Sequence, residues 1–164
     1  MNVKNYSYLM ITLVVILFTS CDNSNEEIKN DELLNFNIHR LGGWIGLDEN
    51  LVINASSTHY SIRYYDLGTS ELKSYQTTIK TSDEFWDYLT KTFDLETFTK
   101  IKDGSCRACV DGIDEIISVI KEGKTYSFYN GVADEHYQQM QTFFDSISKQ
   151  MEDFEIIAEY KYRE

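Results

Sequence analysis

Asp103-Gly104-Ser105-Cys106-Arg107-Ala108-Cys109-Val110-Asp111-Gly112 is the hinge of this chain. Strand patterns leading into a helix pattern stand before it, and two strand patterns leading into a second helix stand after it. Reading this stretch as a loop between two such halves makes the fold α+β.

Upstream, Leu34, Phe36 and Ile38 alternate with Asn35, Asn37 and His39, the period of a half-buried strand. Gly42, Gly43 and Gly46 then predict a bulge or sharp bend with Trp44 packed across it. A phosphate-binding loop would need a following helix and a Lys-Ser/Thr pair, and neither follows. Asp48-Glu49-Asn50 reads as a turn, Leu51-Val52-Ile53 as the start of a strand, and Asn54 to Thr58 as a loop. Tyr60, Ile62 and Tyr64 alternate with Ser61, Arg63 and Tyr65. After a turn at Asp66 to Ser70, another strand runs from Leu72 to Ile79, with Tyr75 and Thr77 on one face. Tyrosine favours half-exposed sheet, so these faces read as structure before they read as a binding surface.

Thr81-Ser82-Asp83-Glu84 has the form of a capping box with Thr81 as the cap. Phe85, Leu89 and Phe93 then supply one apolar helix face. Beyond the hinge, Ile116 to Ile120 is apolar on both faces and predicts a central strand. Glu122-Gly123 turns it into Thr125 to Tyr129, with Tyr126 and Phe128 inward. Asp134 can cap a helix carrying Tyr137, Met140, Phe144, Ile147 and Met151 on one stripe, with His136 exposed beside it. Phe154 to Tyr162 alternates like a strand and also suits a helix; the expectation is a helix end followed by a short edge strand. The expected architecture is an antiparallel sheet of about five to six strands with two helices on one face.

The composition narrows function by exclusion. With 27 acidic against 15 basic residues the net charge is −12, which repels nucleic acid phosphates and anionic lipid head groups. Apolar content of 42% supports a packed core. Proline is absent, so no cis-proline mechanism is available.

The first residues carry a targeting pattern. Lys4 gives a positive start, and Tyr8 to Phe18 is an apolar run. As a helix that run spans about 16 Å, roughly half a bilayer core, which suits a cleaved signal better than a transmembrane helix. It ends in Leu17-Phe18-Thr19-Ser20-Cys21. This resembles the lipobox of bacterial lipoproteins, with Phe18 where Leu is usual. The resemblance implies that Cys21 is lipid-modified and that residues 1–20 are removed. Removing Lys4 leaves 14 of the 15 basic residues against 27 acidic ones, a net charge of −13. Residues 21–32 read as a flexible acidic tether, and 33–164 as a single domain. Acidic residues directly after such a cysteine resemble the surface-export signals of Bacteroidota lipoproteins. In enterobacteria, Asp next to the cysteine implies retention at the inner membrane. The first likeness implies a lipid-anchored protein of the cell envelope, at the outer membrane.

Four readings of Cys106 and Cys109 compete. An exported chain meets an oxidising compartment, and with Cys21 consumed by lipid these two make an even pair, so a disulfide is the expectation. A loop this short gains at most about 2 kcal/mol from closure. A redox site needs the first cysteine at a helix start, and a zinc site needs four ligands, whereas His39, His59 and His136 are scattered. Two free thiols in a tight loop is the fourth reading. Asp111-Gly112-Ile113-Asp114-Glu115 lacks the spacing of a calcium loop.

No nucleophile, base and orienting group can be picked out by spacing, and no cofactor or metal site is expected. Two functions remain. One is a non-catalytic envelope module that binds a protein, peptide or glycan partner. The other is a small envelope hydrolase whose site forms only in three dimensions. A cleft with an acid pair would favour the hydrolase, and an apolar or Tyr-lined groove would favour binding.

Overall fold

The computed structural model describes residues 34–43 and 46–162, with side chains described as far as residue 158. The signal, Cys21, the tether and Trp44 lie outside the described residues.

Six strands form one antiparallel sheet: β1 (Leu34–Gly42), β2 (Leu47–Ile53), β3 (Ser57–Asp66), β4 (Glu71–Lys80), β5 (Ile113–Lys121) and β6 (Lys124–Tyr129). Their order is β4-β3-β2-β1-β5-β6, so the N-terminal strand lies in the middle. Helices α1 (Asp83–Thr92) and α2 (Leu95–Phe98) precede the Cys106 loop, and α3 (Glu135–Gln139) and α4 (Gln141–Tyr162) follow β6. The class is α+β, with four α-helices among the described residues where two were expected.

Alternation sets the inner face. Phe36 pairs with Ile53 and Val119, and Ile38 with Leu51 and Ile117, so buried residues run in rows across three strands. Phe36 meets Trp86 of α1 at 5.6 Å between ring centroids, and Phe143 of α4 at 5.0 Å. Tyr60 stacks on Phe154 of α4 at 5.1 Å. Such aromatic pairs contribute about 0.5–1.5 kcal/mol each beyond the area they bury.

Five expectations need correction. Asp48-Glu49-Asn50 is not a turn but part of β2, opposite Arg40 and Ile62, because the ladder on both sides outweighs local turn preference. The loop at Asn54 is shorter than expected: Asn54 Oδ1 accepts from the Ser56 and Ser57 amides at 2.9 Å, and Thr58 is already buried in β3. Ser82, not Thr81, caps α1, accepting from the Phe85 amide at 3.2 Å. Thr81 is buried, with its hydroxyl 2.9 Å from that of Thr58. β5 is interior in the sheet but buried on one face only: Ile117 and Val119 face the core, while on the other face Ile116 is half-buried and Ile120 is exposed. Finally, 154–162 continues α4, because Met151, Phe154 and Ala158 keep helical spacing on the core.

Candidate functional site

The inner face of β1 is apolar from Leu34 to Ile38, and the next inward position is Arg40. Opposite it on β2 stands Glu49, and on β5 stands Glu115. Two carboxylates thus flank one guanidinium in a single cross-strand row. α4 adds a third, Glu155, one residue after the Phe154 ring that stacks on Tyr60.

Arg40 binds all three. Its Nε donates to Glu115 Oε2 at 2.9 Å, and its Nη1 donates to Glu155 Oε1 at 3.2 Å. Glu49 Oε2 lies 3.6 Å from Nη1, an ion pair without a hydrogen bond. Glu49 Oε1 accepts the Tyr60 hydroxyl at 2.8 Å. Glu49 and Tyr60 are fully buried.

Burial sets the electrostatics. It disfavours charge on Glu49, and the neighbouring Glu155 carboxyl adds to the effect; the Tyr60 hydrogen bond and Arg40 oppose it. The net result pushes Glu49 up to about 7. Glu49 Oε2 accepts no hydrogen bond among the described groups. Protonated, that oxygen can donate to Glu155; ionised, it is a buried orphan. Burial works against the charge of Arg40, but the hydrogen bond and charge of Glu115, with the charges of Glu49 and Glu155, hold the guanidinium above its ordinary value.

Arg40, Glu49, Glu115 and Glu155 line a cavity of about 340 Å³, together with Leu47, Ile113 and Val132, and with Arg107 and Asn130 from the loop and the end of β6. The volume is at the small end of the range for ligand sites, about 300–1,000 Å³. Arg40 occupies the centre that a metal ion would need. Among the described residues no group of three or more His, Cys, Asp or Glu side chains is arranged to hold a metal.

Arg107 reaches the cavity because its loop is pinned at several points. Cys106 and Cys109 on either side of it are joined, with sulfurs 2.02 Å apart and Cα atoms 5.5 Å apart. Asp114 Oδ1 accepts from the Arg107 amide at 2.6 Å and the Ala108 amide at 3.2 Å. Asn130 ties the loop to the sheet: its Nδ2 donates to Ser105 O at 2.8 Å and to Asp114 Oδ1 at 2.6 Å, and its Oδ1 accepts from the Glu115 amide at 3.0 Å. The Asn130 hydrogen bond, followed by the backbone donors, holds the Asp114 carboxyl below its ordinary value.

Sequence reasoning singled out Cys106 and Cys109 as a disulfide, which the structure shows, and missed Arg40, Glu49, Glu115, Glu155 and Tyr60 as a group. A signal existed. Arg40, Glu49 and Glu115 sit in phase with the apolar positions of their strands, where a charge must find a partner. His39 and His59 point to the other face, against Asp48 at 2.9 Å and Thr78 at 2.8 Å, and His136 is half-buried, 3.2 Å from Asp134.

No protein-family model matches the chain, and no curated protein is significantly similar to it.

Proposed function

We propose that this chain is a lipid-anchored cell-envelope protein, held by Cys21 at the outer membrane, whose domain binds a partner without transforming it. The anchor rests on the Leu17-Phe18-Thr19-Ser20-Cys21 pattern, and the location on the acidic residues after it. Anchoring through more than one acyl chain is durable without a transmembrane helix. Among the described residues, no helix is long and apolar enough to cross a membrane.

The observation that carries the binding reading is that each of the cavity's acids is already held by a hydrogen bond. Glu115 and Glu155 are both held by Arg40, and Glu49 is held by Tyr60. A base tied to a guanidinium is weakened as a proton acceptor. Among the described lining residues none is Ser, Thr, Cys, His, Lys or Tyr.

A hydrolase is the second reading, and the acid pair favours it. Glu49 and Glu155 differ in environment, one fully buried and one half-exposed, as an acid and a base would. Two experiments separate the readings. Membrane fractionation of Cys21→Ala should release the protein; a variant still firmly membrane-bound ends the anchor claim. Incubation with envelope peptides and glycans should leave them intact. Turnover that disappears in Glu155→Gln would replace binding with hydrolysis.

A further inference from the structure

We propose that the Arg40 cavity is a binding site for a compact zwitterion, a ligand with a primary ammonium and a carboxylate such as a free amino acid or a dipeptide. The ammonium lies against Glu49 and Glu155 and the carboxylate against Arg107. This rests on the binding reading above and names the ligand class of the same cavity.

Three observations converge. First, Glu49 is fully buried, lines the cavity and has an oxygen, Oε2, with no hydrogen-bond donor among the described groups. Arg40 Nη1 is 3.6 Å away, too far to donate. An ammonium carries three donors and no acceptor, so it can satisfy Glu49 Oε2 and still reach a second carboxylate. Second, the carboxylates around Arg40 outnumber it. Glu49, Glu115 and Glu155 face one guanidinium, which leaves room for a second cation. Third, Arg107 lines the same cavity, is exposed, and makes no ion pair among the described residues. The Arg107 charge helps to hold the Asp114 carboxyl below its ordinary value, but its guanidinium is in salt-bridge contact with no described carboxylate and can take an anion with bidentate geometry. The disulfide fixes the loop that carries it, through Cys106 and Cys109 on either side. A site with an undonated carboxylate oxygen at one end and a guanidinium outside any ion pair at the other matches a ligand with both charges. A simple amine uses one end only, and a simple carboxylate the other.

Calorimetric titration of the full chain in detergent provides the test, with glycine and dialanine as zwitterions and propylamine and acetate as single-charge controls. Saturable binding is expected for a zwitterion, with propylamine and acetate each weaker by about tenfold or more. Arg107→Ala should weaken the zwitterion about tenfold and leave propylamine unchanged. Reducing the Cys106–Cys109 bond should act like a milder Arg107→Ala. Glu49→Gln should weaken both amines and is folded if its melting transition stays cooperative. Below neutral pH, binding should release protons as the ammonium displaces the one on Glu49. No saturable heat with either zwitterion overturns the site. So does Arg107→Ala without effect, or acetate binding as tightly as glycine. Dialanine bound more tightly than glycine assigns a peptide, and the reverse assigns a free amino acid. Membrane release of Cys21→Ala and absence of turnover are read separately, so either reading can fail alone.

Discussion

Tyr60 donates its hydroxyl hydrogen to Glu49 Oε1 over 2.8 Å, and both side chains are fully buried. The two come from adjacent strands, two residues out of register, so the bond runs diagonally across the ladder on one face of the sheet. Tyr60→Phe keeps the ring and its stacking on Phe154 but removes the donor. The expected cost is about 1–3 kcal/mol, measured by urea unfolding. It should be larger at pH 8 than at pH 5, because only the ionised carboxylate loses its strongest donor. An equal cost at both values would mean that Glu49 does not change charge between them.

Stability should fall as pH rises through neutrality. Glu49 is raised from 4.5 to about 7, mainly by burial. Between those values the folded chain holds a proton that the unfolded chain has lost, so raising the pH favours unfolding. The penalty begins near the unfolded value, is complete above the folded one, and is on the order of 3 kcal/mol. Asp48, Asp114 and Asp134 act oppositely: each is held below its ordinary value, so its contribution is present above the unfolded pKa and lost in acid. The melting temperature should therefore peak at about pH 5 and decline towards about pH 8. Glu49→Gln, neutral and nearly the same shape, should remove the decline. A decline that persists in Glu49→Gln assigns it to another group.

Asn130 should be among the least replaceable polar residues. Its φ is 50°, in the left-handed region, and its side chain makes three hydrogen bonds to the loop and β5. Asn130→Ala costs about 1–2 kcal/mol for the backbone and about 1 kcal/mol for each lost bond. Thermal unfolding should report a loss of about 3 kcal/mol or more. Asn130→Gly removes the backbone term and should recover part of it. Equal losses in the two variants would show that backbone strain is not involved.

Cys106 and Cys109 should resist alkylation without reductant, read by mass spectrometry. Reduction should lower unfolding stability by no more than about 2 kcal/mol, because the closed loop is short. The sheet does not depend on it: Asp114 and Asn130 hold the same loop by hydrogen bonds. Global unfolding on reduction would contradict this division of labour.

Much of the fold was legible in the sequence, because alternation is a local signal. Leu34, Phe36 and Ile38 mark an inward face, and the hairpin of β5 and β6 follows from Glu122-Gly123 between two strand runs. The errors fell where distant partners decide. Asp48-Glu49-Asn50 has the composition of a turn, yet Arg40 and Tyr60 draw Glu49 into the sheet. Phe154 to Tyr162 suits either period, and burial of Phe154 and Ala158 selects the helix. Thr81 lost its capping role to Ser82 through its contact with Thr58, far away in sequence.

By itself the sequence determined the α+β class and the inward faces of the strands. It also showed that Cys106 and Cys109 are close enough along the chain to join. Tertiary structure alone decided that β1 lies between β2 and β5, and hence that Glu49 and Glu115 flank Arg40. It alone continued α4 far enough to bring Glu155 to the same guanidinium. The reason is physical: alternation and helix period act between neighbours, whereas a buried charge is tolerated only where partners from separate strands and a helix meet around it.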